Sequence, residues 1–263
     1  MGARSNRISP RYAGPRRTAW HPHNIPTDVA VILVCARNPL NIGAAARAVA
    51  NFGFSDFRLV DPYDLAFREA VSAVGGTHVL LSARVFATVA EAVSDCTLVV
   101  GTTAGQHRVP MQGVERLESG IATALNHAGR VAILFGSEKF GLSNEDMSFC
   151  HGLMRIPTVP ETPSMNLGQA VAVCLYEMVR ANAASLTDAV RPGLLPTVSG
   201  SDAEQLTRML LEVLEKSGYT NRITATSTEQ KVRRWIRRLR IGHRDAPLLL
   251  GILRQILWKF DKR

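Results

Sequence analysis

The apolar positions come in short unbroken runs separated by amphipathic stretches. VAVILVCA (29–36) is continuous and rich in β-branched residues, the pattern of a strand buried on both faces of a parallel sheet. NIGAAARAVANFG (41–53) predicts a helix with Asn41 near its N-cap and Gly53 just past its end. DFRLVDP (56–62) predicts the next strand, and Thr88 with Glu91 predicts a capping box for the helix after ARVFA. CTLVVGTTAG (96–105) is a strand running into a small-residue loop. RVAILFGSEKFGLS (130–143) repeats that pattern, with Ser143 and Asp146 opening a short helix, and LMRIP (153–157) is a last short strand. ETPSMNLGQAVAV (161–173) then predicts a helix from about Leu167, capped by Ser164 or Asn166. Strands alternating with helices predict an α/β fold with a mostly parallel sheet, whose ligands sit at the carboxyl ends of the strands.

Punctuation divides the chain further. The first 27 residues hold four Pro and no apolar periodicity, which predicts a disordered arm, and SLTDAVRPGLLPTVSG (185–200) reads as a linker. Beyond it, Ser201 and Glu204 predict a capping box before AEQLTRMLLEVLEKSGY, and two more helices are expected at about 228–240 and 246–260. The expected organisation is an arm (1–27), an α/β domain (28–183), a linker (184–200) and a helical extension (201–263).

The 263 residues are 46% hydrophobic, enough for a full core. No apolar run approaches the roughly 20 residues of a membrane span, so no membrane partner is expected. Cys35, Cys96, Cys150 and Cys174 are scattered without a C-x-x-C pair, which fits a reducing cytoplasm. Cys150-His151 has no second Cys/His pair at zinc spacing, so no metal is expected. The net charge of +9 is uneven: +5 over residues 1–27, −3 over 28–200 and +7 over 201–263, with seven basic residues inside KVRRWIRRLRIGHR (231–244). Two basic ends around a slightly acidic middle point to a polyanion, and Arg233, Arg234, Arg237 and Arg238 are the candidate phosphate contacts.

No G-x-G-x-x-G follows a strand and there is no Walker A sequence. Instead RNPLNIGAAAR (37–47), LFGSEKFGLS (134–143) and IPTVPETPSMNLGQAV (156–171) stand at strand ends and, with GTTAG (101–105), converge on one rim. These segments resemble, in order, the three motifs of the SPOUT methyltransferases, in the TrmH/TrmJ-like branch that methylates ribose 2′-hydroxyls of RNA. The resemblance covers about residues 29–183, and the basic C-terminal segment looks like the extension of the TrmJ type.

The resemblance implies a trefoil knot formed by the third-motif segment, a homodimer paired through it, S-adenosylmethionine as methyl donor and RNA as substrate. The RNA implied is a tRNA methylated at anticodon-loop position 32, the alternatives being another tRNA position or ribosomal RNA. Arg47 is implied to bind phosphate and assist removal of the hydroxyl proton, Asn41 to orient substrate, Glu138 to orient the loop and Ser164 to complete the catalytic set. Thr102, Thr103, Ala104, Gly136, Gly141, Ile156, Ser164, Met165 and Asn166 are implied to line the cofactor site.

Each has an ordinary reading beside this one. Arg47 reads as a solvated helix charge, Asn41 as a cap, Gly43 as a packing glycine, Gly136 and Gly141 as turn formers, and Glu138 as a helix-dipole partner. Residues 102–104 read as a plain strand exit. Two other functions stay open at this point: an RNA-binding protein without catalysis, and a nucleotide-dependent dehydrogenase, which the missing glycine fingerprint disfavours.

Overall fold

The computed structural model describes residues 28–63, 76–105, 112–185, 197–220 and 225–262, so the expected arm and most of the expected linker lie outside the described residues. Seven strands form one sheet: β1 (Val29–Val34), β2 (Asp56–Val60), β3 (Arg84–Phe86), β4 (Leu98–Thr102), β5 (Val114–Arg116), β6 (Val131–Phe135) and β7 (Gly152–Arg155). Their order is β3-β2-β1-β6-β4-β7-β5 and every pairing between them is parallel, as the unbroken apolar runs predict.

Alternate strand residues serve two apolar layers, because successive side chains point to opposite faces. Val31, Leu33, Val100, Ile133 and Phe135 pack with α1 (Pro39–Asn51), α2 (Thr77–Leu81), α4 (Leu117–Leu125) and α6 (Leu167–Ser185). Ile32, Val99, Ala132 and Leu134 face the other way, against α3 (Val89–Ala92), α5 (Asn144–Ser148) and the turn after it. α1 and α6 approach closely because Gly168 has no Cβ; one added there would lie 2.5 Å from that of Ala44.

Several caps sit elsewhere than the sequence suggests. α1 starts two residues before Asn41, with Pro39 in its first turn and Asn38 as N-cap, whose side chain accepts from Leu40 N–H at 2.9 Å. Pro is suited to that position because its missing N–H would be unsatisfied there anyway. Gly53 does follow the helix end, at φ 78°. Thr88 accepts from Glu91 N–H, but the Glu91 carboxylate accepts from Ala87 N–H rather than from Thr88, so the box is only half formed. The Ser143–Asp146 box is complete, and Asn166 caps α6 by accepting from Gly168 and Gln169 N–H.

Three helices follow: α7 (Gly200–Lys216), α8 (Ala225–Arg238) and α9 (Ala246–Asp261), with a separate apolar cluster around Leu206, Ile236 and Leu250. The N-cap of α7 is Ser199, which accepts from Asp202 N–H, and not Ser201, whose own N–H donates to the Ser94 carbonyl. Glu204 takes no part in a cap. It accepts from Arg233 at 2.9 Å, and Arg233 also donates to Glu229 at 2.6 Å and to the Ser148 hydroxyl at 3.3 Å. The Arg233 guanidinium lies 4.4 Å from the Phe149 ring centre, which joins α8 to α5.

At the amino ends of the strands, buried Arg58 donates to Asp56, to Asp95 and to the Ala92 carbonyl, so its charge is fully partnered. Arg84 and Arg130 complete this ionic cluster from the surface.

Breaking the Arg233 contact would leave Glu204, in a largely dry interface, with only the more distant Arg237 guanidinium at 4.0 Å. Arg233→Met is expected to cost about 3 kcal/mol in denaturant unfolding, whereas Lys231→Met on the exposed side of the same helix should stay within about 0.5 kcal/mol.

Candidate active site

The carboxyl ends of β4, β6 and β7 meet the first turns of α1 and α6 around a cleft of about 420 Å³. Asn41, Thr102, Thr103, Ala104, Gly136, Glu138, Gly141, Ile156, Ser164, Met165 and Asn166 all line it. Arg47 does not, and neither does Gly43, which is buried within α1.

Each wall has a local cause. The Thr102 hydroxyl donates to the Leu134 carbonyl at 2.9 Å, tying the ends of β4 and β6, and Thr103 N–H donates to the Met154 carbonyl at 3.0 Å. After β6 the chain doubles back on itself. Gly141, at φ 65°, donates its N–H to the Ser137 carbonyl at 2.8 Å. A Cβ at Gly136 would stand 2.0 Å from the Gly141 carbonyl carbon, so no other residue fits. The turn-forming role of both glycines is therefore real, and the open cleft is its consequence.

The walls are joined by a chain of hydrogen bonds. The first-turn N–H groups of α6 donate to Asn166 Oδ1, Asn166 Nδ2 donates to Asn41 Oδ1 at 2.7 Å, and Asn41 Nδ2 donates to Glu138 Oε1 at 3.0 Å. Glu138 also accepts from Asn38 N–H at 3.1 Å and Arg37 N–H at 3.3 Å. Burial alone would raise its pKa. The donors outweigh burial, Asn41 foremost and then the backbone N–H groups of Glu138, Asn38 and Arg37, so the group is held below the ordinary carboxylate value. An ionised Glu138 only accepts, which fixes the direction of the whole chain.

Sequence reasoning missed Asn38, which both caps α1 and donates to Glu138, and missed Leu142 and Met147 in the cleft wall. Leu142 falls within the segment 134–143, but Met147 sits on α5 and only the fold brings it there. Among the described residues no cluster of three His, Cys, Asp or Glu side chains could hold a metal.

The four arginines proposed for phosphate separate. Arg233 and Arg237 are buried, Arg233 against Glu204 and Glu229, and Arg237 with an N–H directed at the Gly200 carbonyl at 3.3 Å. Neither reaches a phosphate outside, because α8 turns that side onto α5 and α7. Arg234 is half-buried and Arg238 exposed, and these two keep the outward placement.

Arg47 is exposed, six residues beyond Asn41 on α1, which at about 100° per residue turns it about 120° away. Six residues advance a helix about 9 Å, so its guanidinium starts from outside this chain's own cleft.

The Glu138 linkage has a signed pH dependence. Its folded pKa lies below 4.5, the ordinary value. Its contribution to stability is therefore complete above that value and is lost as pH falls through the depressed one. The stability difference between the native chain and Glu138→Gln should stay constant from neutral pH to about pH 5 and shrink on further acidification, as denaturant melts at stepped pH will read. A difference that grows on acidification would contradict the relay.

Comparison with known proteins agrees with this geometry. Residues 28–176 match the family model described as the SpoU rRNA Methylase family. The tRNA (cytidine/uridine/adenosine-2′-O-)-methyltransferase TrmJ of Pseudomonas aeruginosa is 35% identical over 237 residues, covering 86% of this chain and 92% of that protein. The tRNA (cytidine/uridine-2′-O-)-methyltransferase TrmJ of Yersinia pestis is 31% identical over 87% of this chain and 91% of its own length. The crystal structure of TrmJ from Z. mobilis superposes with a TM-score of 0.74 at 33% identity, over 86% of this chain and 98% of that one. With the matched segment spanning the sheet and the first turns of α6, and with all three cleft loops inside it, the chain belongs to the SpoU rRNA methylase family.

Proposed function

We propose that the protein transfers a methyl group from S-adenosylmethionine to a ribose 2′-hydroxyl of tRNA, at position 32 of the anticodon loop. One observation carries the reading: the Asn166–Asn41–Glu138 chain draws three separate loops around one cleft. Its volume lies within the range of small-ligand sites. Ile156, Leu142 and Met165 supply apolar surface for an adenine ring, the glycine-built loop 136–141 leaves backbone open to a ligand, and ionised Glu138 suits a cationic one. The cofactor supplies an electrophilic methyl group on a sulfonium sulfur.

The chain's own residues position the acceptor and move its proton. The acceptor oxygen must be in line with the methyl group, and holding it there is worth much of the barrier. The transfer would join the methyl carbon to the ribose oxygen, leave the donor sulfur as a neutral thioether and release the hydroxyl proton to solvent water. Asn41 and Ser164 sit at the cleft to orient the ribose, and Arg47 is assigned to the phosphate and to assisting proton removal. The names of the relatives tie 2′-O-methylation to tRNA, which supports a tRNA ribose as the acceptor.

A homodimer completes the proposal. α6 buries Val171, Cys174, Leu175 and Met178 in its own core, so the outward surface is narrower than its apolar sequence suggests. It still leaves Tyr176 exposed beside Phe52, with rings 6.3 Å apart, while Leu40 on α1 is 77% exposed. Pairing across this face under two-fold symmetry would let Arg47 of one copy serve the cleft of the other. The knot belongs to the same proposal, since residues 156–166 return from the sheet to the cleft before α6 begins. No helix among the described residues is long and apolar enough to cross a membrane. A cytoplasmic reaction belongs to the same proposal, supported by its tRNA substrate.

Arg47→Ala should lower kcat roughly 10²–10⁴-fold with S-adenosylmethionine affinity by titration calorimetry almost unchanged. Asn166→Ala should weaken that affinity. Mixing the two variants and allowing subunits to exchange should restore methyl transfer at one site of each mixed dimer. Full activity of Arg47→Ala on a tRNA that the native chain methylates would return Arg47 to a solvated charge, and no recovery on mixing would place it in its own chain's site.

A further inference from the structure

The two sides of α8 carry basic residues with opposite fates. Arg233 and Arg237 face inward and are buried. Lys231, Trp235, Arg238 and Leu239 are exposed, and their spacing puts them on one stripe of the helix, with Trp235 one turn from a cation on either side. Arg234 borders the stripe and is held at its edge, donating to Gln230 at 3.1 Å and towards the Asn144 carbonyl at 3.4 Å.

Trp235 is 45% exposed and Leu239 49%. The indole of Trp258, on α9, lies under the Lys262 ammonium, 3.9 Å from the ring centre. No such ring or cation contact is recorded over Trp235 among the described residues. A flat apolar surface left in water between two cations suits a ligand that is flat, apolar on its face and anionic along its edge. An unpaired nucleotide has that chemistry: its base stacks on an aromatic ring while flanking phosphates meet Lys or Arg. A duplex hides its base faces and does not.

The position fits the reaction. Arg234 reaches Asn144, the first residue of α5, and Leu142 two residues earlier lines the cleft. Through Arg234 at its border the stripe adjoins α5, and the turn before α5 enters the cleft.

We propose that the outer face of α8 is a docking surface for single-stranded RNA, with Trp235 stacking on an unpaired base and Lys231 and Arg238 taking the phosphates beside it. This rests on the RNA methyltransferase reading and adds to it the residues that would recognise a looped-out segment of the substrate.

The test uses the full chain carrying Trp20→Phe and Trp258→Phe, so that Trp235 is the sole indole reporter. A single-stranded oligoribonucleotide should quench its fluorescence, and a duplex of equal length should quench it far less. In the otherwise native chain, Trp235→Ala should weaken oligoribonucleotide binding about 5- to 150-fold, Trp235→Phe should retain most of it, and thermal midpoint should not move. The slope of log K against log[salt] should be unchanged in Trp235→Ala but fall by about 0.7 in Lys231→Gln and in Arg238→Gln. Native affinity of Trp235→Ala, equal quenching by the duplex, or an unchanged slope in both charge variants would overturn the proposal. So would concentration-dependent self-association that Trp235→Ala abolishes, since a second copy would then cover the face. If Trp235→Ala binds RNA normally while tRNA is still methylated, this surface is wrong and the enzymatic reading stands; if the native chain neither binds S-adenosylmethionine nor methylates tRNA, it is that reading which has failed.

Discussion

The site depends on one ionised carboxylate. Glu138 accepts from Asn41, 97 residues earlier in the chain, and Asn41 accepts from Asn166, 125 residues later. An Asn side chain offers a donor and an acceptor of nearly the same shape, so the direction of those amides is set by the groups at the two ends. The first-turn N–H groups of α6 can only donate to Asn166, ionised Glu138 can only accept from Asn41, and each amide turns one way only. Three loops that share no strand are held in common register by this means, and the cleft between them is what remains open.

The two ends of the sheet treat polarity differently. At the amino ends, Arg58, Asp56, Asp95 and Arg130 pair with one another across a few ångströms. At the carboxyl ends the polar groups are linked in a chain whose last members still border open space. The parallel sheet makes this division possible, because all its strands end on the same side.

Much of this was legible in the sequence, and the failures share a cause. The apolar runs at 29–36 and 130–135 announce buried parallel strands because both faces must be dry. The candidate site residues of the α/β domain came from three ordered motifs and the strand-end loop 101–105, and the structure brings them together except for Arg47. Caps were misplaced where several Asn or Ser lie within a turn of one another: Asn38 rather than Asn41, Ser199 rather than Ser201. Local spacing permits either, and the choice is made by distant partners, Glu138 for Asn41 and the Ser94 carbonyl for Ser201. Arg233 and Arg237 were read as surface charge because a basic helix is usually solvated. Glu204, 29 residues from Arg233, and the Phe149 ring reverse that, and neither is visible from the local pattern.

The inward clamp of α8 on α5 also has a thermodynamic meaning. Arg233 grips Ser148 and Phe149 at one end of α5, while at the other end Ser143 and Leu142 lead straight into the cleft loop. α5 therefore joins the inner face of α8 to one wall of the cleft. Linkage is reciprocal: by whatever factor an occupant of the helical unit alters affinity in the cleft, an occupant of the cleft alters affinity at the helical unit by the same factor.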